Sequence, residues 1–260
     1  MAINKNKKLK DLIKDWEYNV LGIDNYKKPG KLKWYYDFIR EHHKKIEGDI
    51  CEVGVYKGFS LLATGMLLKE LKSPKLVWGF DTFEGFPEYH KNDQLEKFEK
   101  LFKKGIITEE HFRDFKLNIQ HKEFLSRGEL SVKNISSSGD FSNNSIQELN
   151  RKINYLGLDN IKLIKGDFKN TMSKANFQIE NVSFFASLID CDLYEGYKVS
   201  LPFVFQKLNK DGFVFLDEYY SLKFPGARIA SDEFFQKRKE KPFKCEQIPG
   251  DFERWGVIKK

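Results

Sequence analysis

Two rhythms of apolar and polar positions run along the chain. Through residues 1–48 the apolar positions recur at helical spacing: Leu9, Leu12, Ile13 and Trp16, then Trp34, Tyr35, Phe38 and Ile39. Pro29-Gly30 separates the two groups and predicts a turn between two helical pieces. After that, short continuous apolar runs alternate with amphipathic stretches. The runs at 49–55, 75–81, 161–165, 182–189 and 213–216 predict buried strands, and two more short strands are expected at 244–248 and 254–258. The stretches at 59–71, 144–156, 168–175, 194–208 and 227–238 predict helices, the second stopped by Gly157. Strands that are apolar throughout, alternating with helices, imply a mostly parallel sheet covered on both faces, here seven-stranded and Rossmann-like.

Residues 88–141 break this plan. They are charged, weakly periodic and include Ser136-Ser137-Ser138-Gly139. A segment of this length between two units of a doubly wound sheet predicts an inserted, partly helical lid over the acceptor site. The organisation expected is one domain over 1–260, with a helical extension at 1–48 and the insertion at 88–141.

Composition narrows the function classes only modestly. The chain has 260 residues, enough for one sizeable core. Its three cysteines, Cys51, Cys191 and Cys245, match neither a zinc motif nor a disulfide framework, so a reducing, cytoplasmic setting is expected. The start of the chain lacks the apolar stretch of a secretory signal, and no run reaches membrane-spanning length. The net charge of +7 comes from scattered lysines, including a small cluster at Lys5, Lys7 and Lys8. A solvated surface explains it more simply than an anionic partner.

The chemistry gathers at the strand ends. Glu52-Val53-Gly54-Val55-Tyr56-Lys57-Gly58 has the form E-x-G-x-x-x-G where the first strand turns into its helix, and the second strand ends in Asp81. Glycine permits the turn and a close ligand approach, and an acid at Asp81 can accept hydrogen bonds from ribose hydroxyls. By itself the loop reads equally well as a plain strand-to-helix turn. A dinucleotide is disfavoured, because the loop lacks G-x-G-x-x-G spacing and puts Tyr56-Lys57 where pyrophosphate would approach. S-adenosylmethionine, which has no phosphates, suits it better.

The third expected strand-end feature is a doubling of acids. Asp190 and Asp192 follow the run at 182–189, and Asp217-Glu218 follow the run at 213–216. If the strand continued, Asp190 and Asp192 would share a face. Adjacent carboxylates repel unless a cation, a proton or a role as base accounts for them. Structural alternatives exist for each residue: Asp192 or Asp217-Glu218 capping a following segment, or Asp190 paired with Lys198 or Arg228. The five histidines read as surface residues, His90 at the start of the insertion being the most interesting. Cys191 reads as inert core, and Tyr219 as packing or a substrate contact.

EVGVYKG, GFDTFEGFPE, IKGDFKNT, IDCDLYEGYK and FLDEYY occur in this order, and the chain thereby resembles the macrocin O-methyltransferase family over about residues 48–258, the insertion apart. The resemblance implies a class I methyltransferase fold and an S-adenosylmethionine- and Mg2+-dependent enzyme acting on a small-molecule sugar acceptor. It implies Asp190, Asp217 and Glu218 as metal ligands and Asp192 as catalytic base. It also implies a cofactor set of Glu52, Gly54, Gly58, Asp81, Thr82 and Asp167, with Asp81 on the ribose and Asp167 near the adenine. The chain departs from the family in one respect, carrying Asp217-Glu218 where two aspartates are usual. Catechol-type methylation, nucleic-acid binding and a non-catalytic module that keeps the cofactor fold are the competing functions; the clustered acids argue against the second, and only the Asp217-Glu218 departure supports the third. Neither a nucleic acid nor a membrane is an expected partner, and a homo-oligomer is compatible with the chain.

Overall fold

A computed structural model describes residues 10–126, 129–173, 179–246, 248–251 and 253–260. The strands are β1 (Asp49–Val53), β2 (Val77–Asp81), β3 (Ile161–Lys165), β4 (Phe184–Ile189), β5 (Leu208–Leu216), β6 (Phe243–Lys244) and β7 (Trp255–Ile258). They form one seven-stranded sheet in the order β3-β2-β1-β4-β5-β7-β6. The pairs from β3 to β5 are parallel, and β7 runs antiparallel to both β5 and β6. The helices are α1 (Asp15–Leu21), α2 (Lys33–His42), α3 (Phe59–Glu70), α4 (Glu96–Lys103), α5 (Glu109–Leu125), α6 (Ile146–Leu156), α7 (Phe168–Thr171), α8 (Tyr194–Lys207) and α9 (Gly226–Phe235).

The sheet carries a core on each face, as its apolar strands require. One core joins α2, α3 and α6 to the sheet through Tyr35, Ile39, Leu62, Leu149 and Phe185. The other joins α8 and α9 through Tyr197, Leu201, Phe205 and Phe235. β4 is buried along its whole length. Chain order reverses between β1 and β4, and open α/β sheets take ligands outside the carboxyl ends of the strands at such a point.

Several expectations need correction. Leu9 lies outside the described residues, and of its expected helix only Leu12 is buried, while Ile13 and Trp16 are exposed. The helix itself starts at Asp15. β5 begins five residues early: Leu208 already pairs with Phe184, and residues 209–212 bulge before Phe213 pairs with Ala186. Asp211, at φ +63°, lies within that irregularity. α7 ends at Thr171, short of the expected 175, and among the described residues of the strand expected at 244–248 only Lys244 pairs, in β6; Ala175 and Gln247 lie outside the described residues.

The insertion is helical. α4 puts Phe98 and Leu101 against Ile107 and Phe115 to form a small core of its own, with Leu222 and Ile229 packed against it. His111 and His43, expected at the surface, are buried; His111 faces inward from α5, stacks on Tyr220 and bonds the Ser221 carbonyl at 2.7 Å.

Candidate active site

The turn after β1 shows why glycine stands at 54. Its φ is +88°, and a Cβ there would lie 1.9 Å from the Asp190 carbonyl oxygen. The ends of β1 and β4 therefore meet at backbone distance, with the Asp190 amide donating to Val53 O at 2.9 Å. Gly58, at φ +82°, opens α3, and a Cβ there would strike Leu149. Asp81 braces the loop from below: its Oδ2 accepts from the Val55 and Tyr56 amides at 2.7 and 2.8 Å, and its Oδ1 from Phe83 N at 2.6 Å. With two bonds on one oxygen and one on the other, Asp81 keeps an acceptor position for a ligand.

A cavity of about 600 Å³ opens above this loop. Of the expected cofactor residues, Gly54, Asp81, Thr82 and Asp167 line it. Asp167 also caps α7, accepting from Lys169 N at 2.7 Å. Glu52 and Gly58 are not on the wall. Gly58 serves the packing of α3 on α6. Glu52 is fully buried beneath the loop, where Oε1 accepts from Ser60 Oγ at 2.8 Å and Oε2 has no partner. Burial pushes its carboxyl up to about 8. Among the described residues of the insertion, only its first and last, Glu88 and Phe141, reach this wall. Its helices cover the neighbouring β5–α9 side instead.

The four acids do come together, though not by strand alternation. β4 stops at Ile189, and Asp192 sits in a turn at φ +57° before α8. Asp217 and Glu218 begin a 3-10 turn after β5, kinked at Glu218 (φ −94°, ψ 17°). Oxygens of Asp190, Asp217 and Glu218 lie within 4.8 Å of one another. Asp190 and Asp192 line the cavity, while Asp217 and Glu218 are buried behind them. None of the four caps a helix through its side chain. Asp190 pairs with neither Lys198 nor Arg228; Lys198 lies over the Tyr194 ring and Arg228 binds Asp232.

The counter-charges come from distant elements. Lys31 Nζ, from the turn before α2, is 2.7 Å from Asp217 Oδ2 and 3.4 Å from Asp190 Oδ2. Lys223 Nζ is 3.4 Å from both Asp192 Oδ1 and Glu218 Oε1. Arg254 approaches Asp217 Oδ1 at 3.8 Å. Burial, reinforced by Asp217, holds the Asp190 carboxyl well above the ordinary range. Burial lifts Asp192 to about 7 against the pull of Lys223. Asp217 is buried too, yet Lys31 and Arg254 outweigh that penalty and hold it low.

Two supporting residues carried no sequence signal. Tyr197 Oη donates to Ile189 O at 2.8 Å and accepts from Glu218 N at 3.1 Å, tying the ends of β4 and β5 together. Asp93, fully buried, accepts from Tyr194 N and His90 N, each at 2.8 Å. It thus caps α8 from the insertion. His90 stacks on Tyr194, and Tyr219 is buried against Trp255, so both are packing residues here.

The donor set fits a hard divalent cation. All three grouped ligands are carboxylate oxygens, the donors that magnesium prefers, and buried Asp217 Oδ1 accepts no hydrogen bond. Among the described residues no helix is long and apolar enough to cross a membrane.

The chain is similar in sequence and fold to several known proteins. A curated relative, mycinamicin III 3''-O-methyltransferase of Micromonospora griseorubida, is 25% identical over 193 residues, which is 73% of this chain. The chain spans 61% of that relative's length. The calicheamicin methyltransferase CalS11 superposes with a TM-score of 0.58 at 18% identity, covering 87% of this chain and 76% of its own. Its apo structure is described as that of a TDP-rhamnose 3'-O-methyltransferase. The Podospora anserina methyltransferase PaMTH1, with S-adenosylhomocysteine bound, has a TM-score of 0.52 at 13% identity and covers 98% of this chain and 91% of its own. These likenesses show the class I methyltransferase fold. The family described as macrocin O-methyltransferase matches residues 31–128 and 126–246, so the chain belongs to the macrocin O-methyltransferase family.

Proposed function

We propose that the chain is an S-adenosylmethionine-dependent O-methyltransferase that methylates a sugar hydroxyl with the help of Mg2+. One observation carries this reading: Asp190, Asp192, Asp217 and Glu218 meet at the ends of β4 and β5, beside the cavity over the glycine loop. A methyltransferase neighbour with S-adenosylhomocysteine bound supports the cofactor. A TDP-rhamnose 3'-O-methyltransferase among the neighbours supports a nucleotide-linked sugar as acceptor. Asp81 and Thr82 are the proposed contacts to the ribose end of the cofactor, with Asp167 beside the adenine.

An alcohol is too weak an acid to attack a sulfonium methyl group unaided at neutral pH. Asp190, Asp217 and Glu218 would hold the cation. A divalent cation bound there polarises and orients neighbouring sugar hydroxyls. Asp192 supplies the base. Its burial and its value near 7 suit a carboxylate that takes a proton near neutral pH. The acceptor oxygen attacks the methyl carbon, the carbon–sulfur bond breaks with its electron pair going to sulfur, and the hydroxyl proton passes to Asp192. The products are a methyl ether and S-adenosylhomocysteine. Lys223 stands between Asp192 and Glu218 and keeps two neighbouring carboxylates from repelling each other.

Labelled methyl transfer from S-adenosylmethionine to TDP-rhamnose and to a catechol, each with and without chelator, tests the reading. Methylated sugar, lost with chelator and restored by Mg2+, is expected. Methylation of the catechol alone overturns the acceptor class, and transfer indifferent to chelator overturns the metal.

A further inference from the structure

The most unusual charge in the molecule is Lys31. It follows Pro29-Gly30 in an exposed turn, residues 27–31, flanked by the buried anchors Tyr26 and Leu32. A Cβ at Gly30 would meet nothing, so the tip of the turn stands clear of the body. From this tip the lysine reaches inward. Its ammonium sits 2.7 Å from Asp217 Oδ2 and 3.4 Å from Asp190 Oδ2, two of the three carboxylates grouped for a cation. The Asp217 side chain is only 3% exposed, whereas that of Lys31 is 44% exposed. The carboxylates are therefore fixed in the protein, and the ammonium approaches from the open side along the cavity wall that it helps to line. Lys223 differs: it meets one of the three grouped carboxylates, Glu218, and otherwise Asp192, each at 3.4 Å, and its side chain is less exposed.

An ammonium and a divalent cation cannot share these two carboxylates. Two positive charges a few ångströms apart repel strongly in a half-buried site, and Asp190 and Asp217 have a limited number of oxygens to offer. We propose that Lys31 is an exchangeable internal counter-ion. It neutralises Asp190 and Asp217 in the ion-free chain and is displaced into the cavity when a divalent cation binds. This inference rests on the metal reading above. It makes Lys31 a positioning residue that sets cation affinity, and it links cation binding to the conformation of the turn that borders the cofactor cavity. It also explains why a flexible, solvent-reachable lysine is used here: a rigid, buried arginine could not yield its place.

Two measurements on the full chain test the exchange. The first is calorimetric Mg2+ titration of the wild type, Lys31→Met and Lys223→Met, without acceptor. Lys31→Met is expected to bind Mg2+ about tenfold tighter or more, about 1.4 kcal/mol. The second is the acetylation rate of Lys31 with an amine-reactive ester, followed by mass spectrometry with and without Mg2+. An ion-paired ammonium is protected, so Mg2+ should raise the labelling rate of Lys31 several-fold while exposed Lys44 stays constant. Mg2+ binding with equal affinity in wild type and Lys31→Met overturns the proposal. So does Mg2+ binding that leaves Lys31 labelling unchanged, or an equal gain in Lys223→Met with no change in labelling, which marks a mere change in net charge. Absence of Mg2+ binding in all three proteins overturns the metal reading itself, and the exchange with it.

Discussion

Glu52 gives a sharp test of the electrostatics beneath the glycine loop. The residue sits on β1 between Cys51 and Val53, opposite Gly79 and Leu188 of the neighbouring strands, and is fully buried. Ser60 is bound to Oε1, and Oε2 has no partner. Burial is the main cause of the raised carboxyl; Ser60 opposes it and Asp81 adds to it. The unfolded chain releases this proton around 4.5, and the folded chain holds it until about 8. Between those values the folded state binds the extra proton, so stability falls as pH rises. The contribution is complete below 4.5 and is lost as pH passes through 8. At about 1.4 kcal/mol per pH unit the full swing is on the order of 4–5 kcal/mol. Glu52→Gln is neutral throughout and can still accept from Ser60. Urea denaturation of both proteins at pH 5, 7 and 9 measures the difference. The wild type should lose several kcal/mol relative to Glu52→Gln between pH 5 and 9, about two thirds of it already between pH 5 and 7. Parallel stability curves would refute the claim that Glu52 is buried and protonated.

Three further substitutions probe the scaffold of the site. Gly54→Ala forces a methyl group against the Asp190 carbonyl at an unfavourable φ, and should cost ~3 kcal/mol or more; thermal unfolding and S-adenosylhomocysteine binding should both suffer. Asp93→Ala leaves the Tyr194 and His90 amides without an acceptor and should cost ~1–2 kcal/mol in urea denaturation. Tyr197→Phe removes the hydroxyl that joins Ile189 to Glu218 and should cost ~1–3 kcal/mol, with Mg2+ affinity falling more than cofactor affinity in paired titrations.

The parts legible in the sequence are those written in local pattern. β4 falls within its apolar run, because a strand covered on both faces must be apolar throughout, and the edge strand β3 matches its expected bounds although Lys162 and Lys165 are exposed. The doubled acids were visible because charge at the end of a buried run is conspicuous. Their company was not. Lys31 meets Asp190 across 159 positions of sequence, and Asp93 reaches Tyr194 across 101, distances over which no local pattern carries information. Glu52 belongs to the glycine-loop motif, yet it lies beneath the loop and not on the cavity wall. Period-two alternation names a face of the strand, but here both faces are covered, and only the turn at Gly54 decides that the cavity lies above it. Asp192 joins the other acids through its left-handed φ, not through the continued strand that the i, i+2 spacing suggests. α5 was hidden by its charged surface, since only His111 and Phe115 of its seventeen residues are buried.

The central claim is that Asp192 accepts the acceptor's proton beside a cation held by Asp190, Asp217 and Glu218. Asp192→Asn keeps the shape of the side chain and removes its basicity. The most direct measurement is single-turnover methyl transfer from labelled S-adenosylmethionine to the sugar acceptor, made on wild type and Asp192→Asn at saturating Mg2+, with S-adenosylhomocysteine and Mg2+ affinities measured on the same samples. The account predicts a rate lower by roughly 10²–10⁴-fold with both affinities retained. A rate equal to that of the wild type would contradict it and leave Asp192 a structural residue.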